Sequence, residues 1–222
     1  RQGGHPHRRV RGPYQELVVT DWRPTASLEA IKARAGLLST VRAFFAARGV
    51  LEVDTPQLAR HGVSDPHIQC IPVPGHGYLQ SSPEYHMKRL LAAGSGPIYQ
   101  ICKAYRDGEA GARHNPEFTM LEWYRPGFDL SALINECLTL FGELFPGAPS
   151  RTYRFRDLFA DVTGLDPLTT SDSDLIQRAE QHGAPEDLDK AAAVDYLMAT
   201  TVEAALPAEQ LSVVTDFPSW AA

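Results

Sequence analysis

The fold of this chain is decided by residues 98–125, whose sequence is IYQICKAYRDGEAGARHNPEFTMLEWYR. Residues 98–106 and 117–125 are apolar-rich runs of the kind that form strands. Between them, residues 107–116 form a polar segment with two glycines and an Asn-Pro pair, which is typical of a loop. Two strands joined by such a loop predict an antiparallel hairpin.

The second predicted strand carries a carboxylate in its middle. Strand side chains alternate between the two faces of a sheet, so Phe118, Met120, Glu122 and Tyr124 share one face. A carboxylate among aromatic neighbours is costly to bury unless it is paired. The local pattern favours an internal ion pair with an Arg or Lys elsewhere in the chain. The alternative is a cationic ligand, such as an ammonium group.

Cationic side chains cluster around the loop of the hairpin. Arg106, Arg113 and His114 fall within nine positions, beside Asp107 and Glu109. Guanidinium groups match phosphate oxygens in shape, so these side chains could clamp a triphosphate. On charge alone, a solvated loop of mixed sign is the favoured interpretation. The chain contains neither a P-loop pattern nor a G-x-G-x-x-G after a strand, so bound ATP would use neither of these modes.

The rest of the chain is predicted to mix helices with short strands. An apolar stripe from Leu28 to Phe45 predicts a helix that begins after Ser27 and ends at Gly49. A short strand at residues 50–53 and a loop with short strands at 60–80 follow. Further helices are predicted at residues 84–93, 130–145, 155–163, 171–182 and 187–205, and a last strand at 211–216. This order predicts the α+β class, an antiparallel sheet flanked by helices.

Glu84 stands at the start of the helix predicted for residues 84–93. The spacing of Ser81 and Glu84 fits a capping box, so the residue types alone predict that Glu84 caps this helix. His86 and Lys88 follow on the same helix and are expected to be surface or packing residues.

The composition is that of an ordinary globular protein. Of 222 residues, 43% are hydrophobic, and the formal net charge of −6 disfavours a protein that mainly grips nucleic acid. The three cysteines form no C-x-x-C pair, and no apolar run reaches the roughly 18 residues that span a bilayer. We expect reduced thiols, a cytoplasmic protein, and a poorly ordered extension at residues 1–26 before a catalytic domain at 27–222.

Two segments carry a resemblance to a known family. SPEYHMKRL (82–90) and HNPEFTMLEWY (114–124) strongly resemble the catalytic core of class II lysyl-tRNA synthetases, and within that family the free-standing elongation factor P lysine ligases. VRAFFAARGVLEVDTPQL (41–58) resembles motif 1 of class II synthetases, and the hairpin resembles motif 2. The resemblance implies a class II synthetase-like core and a homodimer formed through motif 1.

The resemblance implies an ATP site on the hairpin. Arg106 is implied as the catalytic residue, which holds both the α-phosphate of ATP and the carboxylate of the amino acid. His114 and Arg113 are implied at the terminal phosphates, and Phe118 is implied to stack on adenine.

The resemblance also implies a site for a lysine-like amino acid. Glu84 is implied to hold the α-amino group, while Glu122 and Tyr124 receive the side-chain ammonium. Lysine and β-lysine carry the same ammonium and carboxylate groups, so the sequence does not distinguish them.

The chain departs from the family pattern in two places. The family usually has Glu two residues after the motif 2 Arg, where this chain has Gly108. Glu109 or Asp107 is expected to substitute, and Glu109 is counted among the ATP-binding residues. The third motif, with a second ATP-binding Arg and acidic Mg²⁺ ligands, is absent after Pro218. We therefore expect a fragment of a longer protein that is inactive alone and has no metal ligands, while ATP and Mg²⁺ are the implied cofactors.

The acceptor of the activated amino acid is expected to be a protein. Lysyl-tRNA synthetases carry an N-terminal OB domain, and a five-stranded barrel cannot be built from the segment before Ser27. The resemblance implies elongation factor P as this acceptor, with tRNA and a membrane both unexpected as partners. The alternatives are a lysyl-tRNA synthetase fragment that charges tRNA and a non-catalytic, synthetase-like binding module.

Overall fold

The computed structural model describes residues 23–65, 68–108, 111 and 114–221. Its helices are α1 (Leu28–Ala47), α2 (Glu84–Ala92), α3 (Leu130–Leu144), α4 (Phe155–Thr163), α5 (Asp172–Gln181), α6 (Lys190–Leu197) and α7 (Glu203–Ala205). Its strands are β1 (Leu51–Glu52), β2 (Leu58–Ala59), β3 (Pro72–Val73), β4 (Gly77–Leu79), β5 (Ile98–Tyr105), β6 (Glu117–Tyr124), β7 (Ser150–Arg154) and β8 (Leu211–Thr215). This mixture of helices and largely antiparallel strands confirms the predicted α+β class. Most of the predicted N-terminal extension, residues 1–22, lies outside the described residues, and the domain boundary after residue 26 stays a prediction.

The chain divides into two compact units, Arg1–Leu38 and Ser39–Ala222, with the boundary inside α1. In the first unit, Ser27 caps α1 as predicted, because its Oγ accepts a hydrogen bond from the backbone N–H three residues on at 3.1 Å. The apolar side chains in this half of the helix are exposed, Leu28 by 73% and Ile31 by 46%. The periodic stripe thus predicted the helix correctly without identifying which of its side chains are buried.

The predicted hairpin is formed by β5 and β6. The two strands pair antiparallel along their whole length, with Gln100 opposite Glu122 and Tyr105 opposite Glu117. Their bounds agree with the predicted strands to within one residue at each end. β1 adds to β5 as a parallel neighbour, so the strand order in this sheet is β1-β5-β6.

One face of the hairpin packs on the C-terminal half of α1. Phe45 is fully buried and stacks on Tyr99 of β5 with ring centroids 4.5 Å apart, while Trp123 of β6 lies 5.6 Å from the same Phe45 ring. The other members of this core cluster are Val41, Phe44, Val50 and Leu140. Because strand side chains alternate, the even-numbered residues of β5 and β6 lie on the opposite face.

A second sheet, with strand order β2-β4-β3, lies before α2. Gly77 of β4 has φ of +128°, and a Cβ at this position would lie only 2.2 Å from the carbonyl oxygen of Ala59 on β2. Backbone hydrogen bonds fix this region to the hairpin: the Tyr105 N–H donates to the Gln80 carbonyl, and the Gln80 N–H donates to the Gln57 carbonyl, both at 2.9 Å. The segments around Gln57 and Gln80 are therefore held beside β5.

The segment after α3 forms a helical lobe with its own core. Its largest fully buried side chains are Phe155, Phe159, Leu175 and Leu197. The predicted helix at 187–205 begins at Lys190, because Asp187 has a left-handed φ of +66° that a right-handed helix does not allow. β7 pairs in parallel with β8, and the sequence analysis did not predict β7. No helix in the described ranges is long and apolar enough to cross a membrane.

Candidate active site

The face of the hairpin that points away from α1 carries three of the predicted site residues, with a fourth at the end of β5. Register and alternation place Glu122 and Tyr124 of β6 on this face, together with Phe118. Arg106 follows β5 directly, and its N–H donates to the Pro116 carbonyl at 2.9 Å, which extends the hairpin by one pair. The hairpin therefore brings Arg106 and Phe118, predicted for ATP, to the same surface as Glu122 and Tyr124, predicted for the amino acid.

The half-buried carboxylate of Glu122 is held by two hydroxyl groups. Ser82 Oγ donates to Oε2 at 2.7 Å, and Tyr124 Oη donates to Oε1 at 2.7 Å. Among the described residues no Arg or Lys forms an ion pair with Glu122. The internal ion pair that the local pattern favoured is therefore wrong, because the partners are neutral hydroxyls brought in by the fold.

Tyr124 is fixed as a hydrogen-bond donor. Burial raises the pKa of its phenol well above the ordinary value, and the hydrogen bond to Glu122 and the charge of that carboxylate raise it further. The phenol therefore keeps its proton across the physiological range. As a result, Tyr124 continues to donate a hydrogen bond to one oxygen of Glu122. No cation among the described residues pairs with this carboxylate.

Glu84 does not form the predicted capping box. Its backbone N–H donates to Ser82 Oγ at 3.1 Å, and its carboxylate forms an ion pair with Lys88 one turn along α2. The hydroxyl that serves the start of α2 belongs to Ser82, whereas Ser81 is fully buried and contacts the thiol of Cys70 at 3.7 Å. The capping box is absent because α2 begins at Glu84 with Pro83 at its N-cap position, so Ser81 lies before the cap.

Ser82 is a site residue that the sequence analysis missed. Its single hydroxyl accepts from the backbone of Glu84 and donates to the carboxylate of Glu122, so it joins the start of α2 to β6. The ion pair with Glu84 raises the pKa of Lys88, so this lysine remains charged. A serine directly before a Pro at a helix start was the available signal, since such hydroxyls commonly cap helices.

Arg106 and Phe118 form the second part of the site. The Arg106 guanidinium carbon lies 5.1 Å from the centroid of the Phe118 ring, within the range of a cation–π contact. Both side chains are half-buried. The guanidinium can hold a phosphate group, and the aromatic ring offers a face on which a planar base can stack.

The loop of the hairpin is described in part. His114 is exposed and exchanges two backbone hydrogen bonds with Gly111, at 3.0 and 3.3 Å. Glu109 and Arg113 lie outside the described residues, so their predicted roles stay predictions. Gly108 has φ of +76°, a left-handed conformation that favours glycine over residues with a side chain such as Glu. Asp107 accepts a hydrogen bond from the Gly108 N–H at 2.9 Å.

The described residues offer no group of three or more His, Cys, Asp or Glu side chains that could hold a metal ion. Mg²⁺ prefers an octahedral shell with carboxylate and phosphate oxygens. The described part of the site therefore does not fit a resident Mg²⁺ ion by its own side chains.

Comparison with known proteins supports the resemblance. Residues 14–220 match the profile of the tRNA synthetases class II (D, K and N). The elongation factor P–(R)-β-lysine ligase of Haemophilus ducreyi is 42% identical over 214 residues, 91% of this chain and 65% of the relative. The ligases of the same name from Pasteurella multocida and Pseudoalteromonas translucida are 42% and 44% identical, and cover 90% and 91% of this chain. The chain spans about two thirds of the length of these relatives, 65% to 67%. Its expected inactivity when alone stays a prediction.

Proposed function

Because this chain belongs to the class II tRNA synthetases (D, K and N), we propose that its protein activates lysine or β-lysine with ATP and transfers it to a lysine of elongation factor P. The observation that carries this proposal is the carboxylate of Glu122, half-buried, held by two neutral hydroxyl donors and paired with no cation of the described chain. A charge kept in this state is suited to a cationic ligand. The relatives named as (R)-β-lysine ligases indicate which ligand.

The amino acid would be bound by two carboxylates. Glu122 and Tyr124 receive the side-chain ammonium, and Glu84 receives the amino group nearer the carboxylate. Ser82 links the two residues, because its hydroxyl donates to the Glu122 carboxylate and accepts from the backbone N–H of Glu84. A lysine-like substrate carries two ammonium groups and matches this pair, whereas a neutral side chain would leave Glu122 desolvated and unpaired.

ATP would be bound by the hairpin. Phe118 stacks on adenine, and the guanidinium of Arg106 bridges the α-phosphate and the substrate carboxylate. His114, Arg113 and Glu109 are proposed at the remaining phosphates on the strength of the resemblance. Arg106 supports this arrangement because it already lies on the Phe118 ring at 5.1 Å.

The first step would be adenylate formation. A carboxylate oxygen of the amino acid attacks the α-phosphorus of ATP, the bond to the β-phosphate oxygen breaks, and pyrophosphate leaves. The carboxylate is already ionised at neutral pH, so this step needs positioning and charge neutralisation rather than a general base. Arg106 would provide both. Mg²⁺, when bound, would neutralise the charge that develops on pyrophosphate.

The second step would be transfer to the acceptor. A neutral lysine amine of elongation factor P attacks the carbonyl carbon of the mixed anhydride, the amine gives up a proton, and AMP leaves. An amide bond between the activated lysine and the acceptor results. The same adenylate chemistry would serve a tRNA hydroxyl, so the acceptor has to be tested directly.

Homodimerisation and a cytoplasmic location are also proposed. The exposed apolar side chains of Leu51 and Leu58, within the segment that resembles motif 1, support a partner surface there. The three cysteines are free thiols, which suits a reducing compartment.

The test is the intact mass of elongation factor P after incubation with the protein, ATP, Mg²⁺ and (R)-β-lysine. We expect a gain of one lysyl residue, and no gain with the Arg106→Ala variant. Lysine-accepting tRNA is offered in a parallel reaction. Charging of tRNA without modification of elongation factor P would replace the proposed acceptor, and adenylate formation with neither acceptor would point to another protein.

A further inference from the structure

A cluster of buried and half-buried polar side chains surrounds Gln100, the cross-strand partner of Glu122. It consists of Thr55, Gln57, Gln100 and Cys102, which we call the polar floor. Gln100 is 1% exposed and Thr55 is 7% exposed. Four side-chain atoms of the polar floor have no hydrogen-bond partner among the described residues: Thr55 Oγ1, Gln57 Oε1, Gln100 Oε1 and Gln100 Nε2.

The polar floor is one contiguous group. Gln57 Nε2 donates to the carbonyl oxygen of Thr55 at 3.3 Å. The thiol of Cys102 lies beside the amides of both glutamines. Burial raises the pKa of this thiol, the amide contacts oppose that rise, and the charge of Glu122 adds to it. A thiol is a weak hydrogen-bonding group, so it leaves the amide of Gln100 without a full-strength partner.

Gln100 is the member of the polar floor nearest to Glu122. The two residues are direct partners across β5 and β6, and both lie on the face away from α1. Directly opposed residues of an antiparallel pair have Cβ atoms about 4.5–5.5 Å apart. The neutral amide and the carboxylate are therefore immediate neighbours.

A buried amide without a hydrogen-bond partner is suited to a ligand group that can form the missing hydrogen bonds. Three of the four unpartnered atoms are oxygens, which accept hydrogen bonds. An ammonium group offers three donors and no acceptor, so it suits a pocket with surplus acceptors beside a carboxylate. Glu122 would supply the charge, and the polar floor would supply acceptors for the remaining N–H groups.

We infer that Gln100 binds the side-chain ammonium of the amino acid, with its Oε1 accepting a hydrogen bond beside the Glu122 carboxylate. This inference rests on the proposed function and adds a specificity residue to it. In the ligand-free protein the buried amide of Gln100 has no full-strength hydrogen-bond partner, and the ammonium group of the substrate supplies one.

The test uses Gln100→Met, which keeps the length of the side chain and removes its polar atoms. The matched control is Gln177→Met, the same substitution at an exposed position of α5. Melting temperature without ligand and affinities for L-lysine, (R)-β-lysine, L-norleucine and ATP are measured for the wild type and both variants. Norleucine has the chain of lysine without its side-chain ammonium.

We expect Gln100→Met to raise the melting temperature of the ligand-free protein, because an unpaired amide is removed from the interior. Its affinity for lysine or β-lysine should fall about tenfold, the loss of one charged hydrogen bond. The affinity for ATP should not change. The affinity for norleucine should be the same in the wild type and in both variants, and Gln177→Met should match the wild type for every ligand.

Two results would overturn the inference and leave the proposed function intact. One is a lower melting temperature of ligand-free Gln100→Met, which would mean that the amide already has a structural partner such as an ordered water. The other is unchanged affinity for both lysines in Gln100→Met. If the wild type binds neither lysine nor β-lysine, the proposed function fails and the inference fails with it.

Discussion

Glu122→Gln is the substitution that tests the amino-acid site most directly. It removes one negative charge and keeps the shape of the side chain. In the folded chain the two carboxylate oxygens accept hydrogen bonds of 2.7 Å from Ser82 and from Tyr124. Both donors are hydroxyls that can rotate to serve an amide, so we expect the fold to tolerate the change.

The expected loss follows from the charge of the ligand. A hydrogen bond to a charged group contributes roughly 1.5–3 kcal/mol, and about 1.4 kcal/mol corresponds to a tenfold change in affinity. Binding of lysine or β-lysine should therefore weaken by about 10- to 150-fold. In the proposed arrangement ATP contacts none of the atoms that change, so its affinity should stay within about twofold of the wild type.

The assay is calorimetric titration with each ligand, with melting temperature as a check on folding. Glu117→Gln is the matched control, because Glu117 lies on the same strand but on the other face, where it is 53% exposed and pairs with Lys103 at 2.8 Å. Exposed pairs of this kind contribute about 0–1 kcal/mol, so the control should bind both ligands normally.

Equal losses of lysine and ATP affinity in Glu122→Gln would refute the reasoning. That result would mean that the carboxylate supports the hairpin as a whole and does not receive the ammonium. If Glu117→Gln also lost affinity for lysine, lysine binding would depend on the net charge of β6 and not on a specific site at Glu122.

Three further outcomes are expected. In the full-length protein, Arg106→Ala should abolish ATP–pyrophosphate exchange with the fold intact, and near-normal exchange would exclude its catalytic role. Glu136→Leu should lower the free energy of unfolding by about 3–5 kcal/mol in denaturant. The reason is that Arg125, which is only 12% exposed and lies 3.2 Å from the Glu136 carboxylate, loses its partner. A loss below about 1 kcal/mol would contradict burial as the cause. Burial and a hydrogen bond to Glu52 raise the pKa of Tyr99 to about 12, so the fold favours the neutral phenol. The stability that the neutral Tyr99 phenol contributes is fully present below pH 10, and the free energy of unfolding should fall by about 2–3 kcal/mol as the pH rises from 10 to 12. The Tyr99→Phe variant should lack this fall when its unfolding is measured over the same pH range.

The sequence predicted the hairpin and most helices well, because their signals are local. The polar loop at 107–116 and the apolar runs on either side define both strands, and Ser27 caps α1 as predicted. β7 was missed, since its sequence SRTYR has little apolar character and its partner β8 lies about 60 residues away, as the pairing of Ser150 with Leu211 shows.

The candidate site was only partly predictable, for a different physical reason. Alternation along β6 correctly placed Glu122 and Tyr124 on one face. The partners of Glu122 depend on tertiary contacts, and Ser82 is 40 residues away in sequence. The unpaired amide of Gln100 could not be found from the sequence either, because a glutamine in a strand gives no local sign of whether its side chain has a partner.

The two hydroxyls that hold Glu122 also bear on how the substrate preference of this scaffold could be inverted. If Glu122 were replaced by Ala, the hydroxyls of Ser82 and Tyr124 would converge on an empty space. Two donors around a vacancy suit an amino acid whose side chain ends in an amide or carboxylate oxygen, the opposite polarity from lysine. Titration of Glu122→Ala with glutamine and with lysine would measure this reversal, and a variant that binds neither would show that the hydroxyls need the carboxylate to hold their positions.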